Sequence, residues 1–233
     1  MGKSLDGTRP YEYNKKIKKL KNRRGKGGRG GFDNSNLQSF KFKVLGSNCN
    51  GLKGKMESLL SVIKRLDYPA CIMLQETKLN FPGTIQLEGY QVFERIRKSQ
   101  GGGGLLTAVR SNLHPVLITS GSDETEILSV QVEVAGQKIR ILNGYGPQEV
   151  AQAQRTSDEQ NQIINKFWYE LEVEVIDAFD NDCWILIEMD ANAKVGKEVI
   201  NNDPNNTSPN GKLLIDFIER QNLKILNTSE NNA

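Results

Sequence analysis

Apolar and polar positions follow two periods along this chain, and the period switches repeatedly from Phe40 onward. Phe40, Phe42 and Val44 alternate with polar neighbours, which predicts a strand over residues 40–47. Met56, Leu59, Leu60, Ile63 and Leu66 recur at helical spacing. Residues 71–74, Cys-Ile-Met-Leu, form a short uninterrupted apolar run, the mark of a buried strand. Residues 91–94 and 105–109 read as strands flanking the glycine run at 101–104. Val130, Val132 and Val134 alternate, and Gly136 turns the chain back into an apolar stretch at 139–142, which predicts a hairpin. Thr156 and Ser157, followed by Glu159 and Gln160, offer overlapping capping boxes. The helix they open buries Ile164, Phe167, Trp168, Leu171 and Val175. Residues 184–187 predict another central strand, Leu213, Leu214, Phe217 and Ile218 a further helix, and 224–226 a last strand. Hairpins mixed with helical crossovers predict an α/β fold of mixed sheets under helical layers.

Composition narrows the class without naming a chemistry. The chain has 233 residues, 37% hydrophobic and 25% charged, which excludes collagen, a coiled-coil rod and a wholly disordered chain. No apolar run approaches the roughly 18 residues needed to span a bilayer, so no membrane partner is expected. Cys49, Cys71 and Cys183 are too few and too scattered for a disulfide scaffold or a zinc knuckle, which suits a reducing, intracellular compartment. Charge is unevenly placed. Residues 1–31 hold 11 Lys/Arg against Asp6 and Glu12, so this tail carries +9 and the remainder of the +3 chain carries −6. Such a segment cannot bury enough apolar surface to offset the entropy of ordering. Residues 1–39 therefore read as a flexible basic arm, and 40–233 as the folded domain. A basic arm attracts polyanions and suits nuclear import, although a merely solvated tail is the plainer alternative. Gly25-x-Gly27-x-x-Gly30 matches a dinucleotide fingerprint by spacing but follows no strand, so it is set aside.

Polar groups suited to metal and phosphate chemistry sit where four of the apolar strands stop. They are Asn48-Cys49-Asn50-Gly51, Gln75-Glu76-Thr77-Lys78, Asn143-Gly144-Tyr145-Gly146-Pro147-Gln148 and Glu188-Met189-Asp190-Ala191-Asn192. Rigid strands aim side chains out of the core at their ends, where ligands bind. Carboxylates and amide oxygens are hard donors suited to Mg²⁺ or Mn²⁺. Any one group alone reads better as a strand-end turn; four in succession change the balance.

That succession resembles the endonuclease/exonuclease/phosphatase superfamily, which includes apurinic endonucleases, DNase I and the endonuclease domains of non-LTR retrotransposons. Ser47-Asn48-Cys49-Asn50-Gly51-Leu52 is similar to the family's W/L-N-x-D/N-G-L, and Leu74-Gln75-Glu76-Thr77-Lys78 to its L-Q-E-T-K/H. Tyr145-Gly146-Pro147-Gln148 resembles Y-x-P-N, and Met189-Asp190-Ala191-Asn192-Ala193 resembles G-D-F-N-A. Asn210-Gly211 through Phe217, ending at Asn227-Thr228, is similar to a stretch of the retrotransposon members. The resemblance implies a DNase I-like four-layer α/β sandwich, two mixed sheets flanked by helices. It further implies Mg²⁺- or Mn²⁺-dependent hydrolysis of phosphodiesters in nucleic acid, DNA foremost. Carried over residue by residue, Glu76 is the main metal ligand with Asn48 and Asn50 close to it. Asp190 orients or deprotonates the attacking water and is held by Asn192. Tyr145 contacts the phosphate, and Lys78 and Gln148 face the substrate.

The departures are specific. Family members carry a late aspartate–histidine pair, and this sequence has a single histidine, His114, before a proline and far from any such block. Gln148 replaces the usual asparagine, and Glu188-Met189 replaces the usual residue and glycine before the aspartate, adding a negative charge beside the site. The sequence therefore predicts a domain incomplete at its C-terminal end. Impaired activity, or an inactive nucleic-acid-binding remnant, is the alternative expectation. A phosphatase or lipid phosphodiesterase of the same superfamily is another.

Overall fold

The computed structural model describes residues 42–97, 102–119, 121–148, 157–196 and 206–226. The basic arm, Thr156, Gly101 and the Asn227-Thr228 pair lie outside the described residues. The element order is β1 (Val44–Asn48), α1 (Met56–Arg65), β2 (Cys71–Gln75), β3 (Tyr90–Arg95), β4 (Leu105–Arg110), β5 (Val116–Thr119), β6 (Glu126–Val134), β7 (Gln137–Tyr145), α2 (Ser157–Asp180), β8 (Trp184–Asp190) and α3 (Pro209–Arg220).

The strands form two four-stranded sheets, ordered β1-β2-β4-β3 and β5-β6-β7-β8. Each is mixed: β1 runs parallel to β2 and β7 parallel to β8, while the other pairings are antiparallel. Side-chain alternation along the strands sorts the core into layers. Leu45, Ile72, Leu74 and Leu106 face outward beneath Leu59, Val62 and Ile63 of α1. Val44, Cys71, Met73, Val109, Val130, Val132 and Ile141 fill the space between the sheets. Ile127 and Leu142 face the other way, against Phe167, Trp168, Leu171 and Val175 of α2 and Phe217 of α3. The order is helix, sheet, sheet, helices, the four-layer α/β sandwich that the resemblance implies. Arg140 on β7 ties α2 to its sheet through Asp177 at 2.9 Å.

Three local expectations are corrected. The strand at 184–187 is not central: β8 forms one edge of its sheet among the described residues, and Trp184 is 43% exposed. Residues 224–226 are not a strand but an irregular segment beside β8, where Leu223, Ile225 and Leu226 line an apolar cleft with Phe217 and Ile218. Leu60 is exposed, and Val62 takes its place in the core. One strand carries no pattern to predict it: β5 exposes Val116, Leu117 and Ile118 at the sheet edge. α2 begins at Ser157, with the expected Thr156 cap outside the described residues, and Ser208 caps α3 by accepting from the Gly211 N–H at 3.1 Å.

Between the sheets, the buried Asn143 is one of the polar residues that link the two halves. Asn143 of β7 is fully buried, accepts from Gln75 Nε2 at 2.8 Å, and donates to Leu106 O at 3.0 Å and Thr107 Oγ1 at 3.2 Å. A buried donor left unpaired costs the desolvation of that group in full. Asn143→Leu should therefore destabilise the domain by about 2–4 kcal/mol, because it strands the Gln75 amide in the core. Urea unfolding reads this as a lower midpoint at unchanged slope; an unchanged midpoint would contradict it.

Candidate active site

The site lies at one end of the space between the sheets, because four inward-facing rows terminate there. Val44, Gly46 and Asn48 form the row of β1, and Cys71, Met73 and Gln75 that of β2. Ile141, Asn143 and Tyr145 form the row of β7, and Leu186, Glu188 and Asp190 that of β8. Register finishes the alignment. Asn48 pairs with Gln75 and Tyr145 with Asp190, both across parallel ladders. Glu76 follows immediately on β2, at its polar end.

These residues touch. Asn48 Nδ2 donates to Glu76 Oε1 at 2.8 Å and to Asp190 Oδ2 at 2.6 Å, joining carboxylates 114 positions apart in the chain (190 minus 76). Tyr145 Oη donates to the same Glu76 Oε1 at 2.9 Å, and Gln148 Nε2 donates to Tyr145 Oη at 2.9 Å. The longer glutamine thus reaches the tyrosine. Asn192 acts in two ways: its backbone N–H donates to Asp190 Oδ1 at 3.1 Å, while its side chain donates to Gly146 O at 2.8 Å. Asn192 therefore holds Asp190 through its main chain and clamps the Tyr145-Gly146-Pro147 loop with its amide. Gly146 is obligatory here, since a Cβ would fall 2.5 Å from Ala191 O.

Lys78 Nζ lies 3.6 Å from Glu76 Oε2 and donates to Asn50 Oδ1. An ammonium thus sits where a carboxylate oxygen and an amide oxygen converge. Asn50, Glu76, Lys78 and Asn192 all adopt left-handed backbone, with φ of 43°, 51°, 52° and 46°. Each such residue costs on the order of 1 kcal/mol, and strain of this kind gathers where geometry is fixed for a purpose.

The electrostatics follow the contacts. Burial works to raise the Glu76 carboxyl, but hydrogen bonds from Asn48 and Tyr145 and the Lys78 charge outweigh it and hold the group below its ordinary value. Burial, reinforced by the Glu76 carboxylate, pushes the Tyr145 phenol up to about 12, so it remains a donor at neutral pH. Glu188 lies over Gly46 of the facing sheet, where a Cβ would fall 2.3 Å from its carboxylate. Burial first, and Asp190 second, push Glu188 up to about 7. Unfolded, the group titrates near 4.3. Folding therefore favours its protonated form, and the stability this gives is full at low pH and is lost as pH rises from about 4 through 7. Glu188→Gln should accordingly raise stability by about 2 kcal/mol at pH 8, with the residue's partial solvent contact discounted, and change little at pH 4. Thermal melts at the two pH values check this; an equal effect at both would contradict it.

Further residues shape the site, two of them, Asn210 and Gly211, within the Asn210–Phe217 stretch of the resemblance. Asn210 of α3 is fully buried, accepts from Trp168 Nε1 at 2.7 Å and donates to Ala191 O at 2.8 Å, fixing the loop after Asp190 to both helices. Gly211 lets α3 approach, as a Cβ would lie 1.9 Å from Lys194 O. Arg97 and Glu126 flank Tyr145, with the Arg97 guanidinium 5.5 Å from the centre of its ring. The exposed His114 ends a short turn after β4, at the end of that strand away from Leu105 and the site.

Among the described residues no group of three or more His, Cys, Asp or Glu side chains could enclose a metal, and no helix is long and apolar enough to cross a membrane. The donor set still fits one hard ion. Glu76 Oε2 and Asn50 Oδ1 already share a cation, the Lys78 ammonium, and Mg²⁺ is commonly held by one or two carboxylates with water and substrate phosphate completing the shell.

No family model matches the sequence, and no curated protein matches it. Solved structures do. The AP endonuclease LMAP from Leishmania major superposes with a TM-score of 0.58 at 15% identity, over 78% of this chain and 67% of that one. A 3′ phosphatase, NExo from Neisseria, bound to a product DNA hairpin, gives 0.55 at 16% identity, over 76% and 70%. The endonuclease domain of TRAS1, a telomere-specific non-LTR retrotransposon, gives 0.52 at 15% identity, over 80% and 74%. By fold, this chain is a DNase I-like α/β sandwich.

Proposed function

We propose that the chain is a divalent-metal-dependent phosphodiesterase of nucleic acid, of the retrotransposon endonuclease type. The observation that carries this reading is the Asn48 amide bound at once to Glu76 and Asp190, with Tyr145 on the same Glu76 oxygen. Two carboxylates held this way from distant segments, beside a phenol and an ammonium, suit in-line attack on a phosphorus centre. The fold's likeness to a DNA-bound phosphatase and to two endonucleases agrees with it.

Glu76 and Asn50 would hold the ion, Mg²⁺ or Mn²⁺, which when bound neutralises charge growing on the phosphoryl oxygens. Asp190 orients the attacking water and accepts its proton, its Oδ1 fixed by the Asn192 N–H. Tyr145 donates to a phosphate oxygen, steadied by Gln148. With an ion there, Glu76 and Asn50 would hold it in place of the Lys78 ammonium, and Lys78 would face the substrate backbone. Asn48 serves as the strut between the carboxylates, since it presents its nitrogen to them.

Nicking of supercoiled plasmid in Mg²⁺, with Asp190→Ala as control, tests the proposal. The expected result is relaxed circles from the wild type alone. Binding without nicking would favour the inactive remnant, and turnover of 3′-phosphates or phosphoinositides in place of plasmid would reassign the substrate. The basic arm adds phosphate contacts, which raise affinity without reading bases and suit a nuclear, DNA-directed protein. Deleting residues 1–31 should flatten the slope of log K against log salt; an unchanged slope would refute that role.

A further inference from the structure

Tyr145 has a neighbour on its ring face as well as at its hydroxyl, and the chain takes trouble to keep it there. The Arg97 guanidinium sits 5.5 Å from the ring centroid, and its Nε donates to Glu126 Oε1 at 2.5 Å. Glu126 is 6% exposed, opens β6, and lies opposite Tyr145 in the β6–β7 register. Its two oxygens also accept from the Gly104 N–H at 3.1 and 3.2 Å. Gly102, Gly103 and Gly104 have φ of 99°, 88° and 86°, which L side chains rarely adopt. Space demands glycine as well. A Cβ on Gly103 would fall 2.3 Å from Arg97 Nε and 2.6 Å from Glu126 Oε1, and one on Gly104 would fall 2.8 Å from Thr77 Oγ1. The end of the glycine run is therefore moulded around the Arg97–Glu126 pair. A cation over a tyrosine face is held by the ring quadrupole, more strongly where water is thin.

Resting on the hydrolase reading above, we infer that Arg97, clamped by Glu126 and the glycine run, is a positioning residue that fixes the Tyr145 ring for its phosphate contact. Arg97 acts through Tyr145, so its worth depends on that hydroxyl. The test uses the full chain. Arg97→Gln combined with Glu126→Gln removes both charges together and avoids stranding a buried carboxylate. This variant should lower kcat for duplex cleavage about tenfold with KM held within about twofold, whereas in a Tyr145→Phe background it should add less than about twofold. A loss carried by KM, or one that multiplies fully with Tyr145→Phe, would overturn the inference and make Arg97 a direct contact to nucleic acid. Arg97→Lys keeps the charge on a shorter donor set and should recover part of the kcat; no recovery would count against the ring contact. A second readout does not need turnover. The ring NMR signals of Tyr145, assigned by their loss in Tyr145→Phe, should move in the paired variant while those of Tyr90 stay. If the wild type nicks no better than Asp190→Ala, the hydrolase reading fails, and unmoved Tyr145 signals would separately sink the positioning role.

Discussion

Replacing Asp190 by asparagine should slow DNA cleavage about a thousandfold while leaving the melting temperature nearly unchanged. The substitution keeps the shape of the side chain and an oxygen that can accept from the Asn192 N–H. It removes the charge and the proton acceptor. It also sets two amides against each other, because the oxygen that now accepts from Asn48 Nδ2 at 2.6 Å becomes a nitrogen or forces a flip. Asn48 is solvent-exposed, so the displaced donor finds water and the fold loses little. Single-turnover cleavage of an end-labelled duplex measures the chemical step. A loss below tenfold would mean that Asp190 neither orients nor deprotonates the nucleophile.

Glu76→Gln should have the next largest effect, about a hundredfold or more, and of a different kind. Glu76 accepts from Asn48 and Tyr145 on one oxygen and faces Lys78 with the other. Its carboxyl is held below the ordinary range despite burial, so it is charged throughout the neutral region. A neutral amide cannot balance a divalent ion or three donors at once. The half-saturating Mg²⁺ concentration should therefore rise along with the fall in rate, whereas Asp190→Asn should move mainly the rate. Titrating Mg²⁺ against cleavage separates the two. An unchanged Mg²⁺ requirement in Glu76→Gln would remove Glu76 from the metal site.

The sequence discloses those parts of the site that depend on where a strand stops. Asn48, Glu76, Tyr145 and Asp190 each follow a short apolar run, and run lengths set how far each strand projects. The α/β class with helical layers is legible for the same reason, since alternation along β6 and β7 and the helical period of α2 each report a buried face; the four-layer sandwich rests on the resemblance. What lies between the sheets was less so. Asn143 looks like part of a strand-end turn, yet β7 continues through Tyr145 and leaves it buried among donors from the facing sheet. Glu188 likewise belongs inside β8, and its place depends on Gly46, 142 residues away and lacking a side chain (188 minus 46). The apolar stretch at 224–226 has strand composition but is not part of a strand among the described residues, because pairing is a property of neighbours. Arg97 and Glu126 carry no periodic signal, and the glycine run beside them reads in the sequence only as the link between two strands. β5 was missed because three consecutive apolar residues, Val116, Leu117 and Ile118, fit neither period and remain exposed.

Everything said of function depends on Glu76 and Asp190 serving one phosphodiester. Single-turnover cleavage by the wild type, Glu76→Gln, Asp190→Asn and the double variant measures that dependence in one cycle. Residues that act as a unit are not additive, so the double variant should cleave about as slowly as the worse single variant. Losses that multiply in full would place the two carboxylates in independent roles and contradict the account.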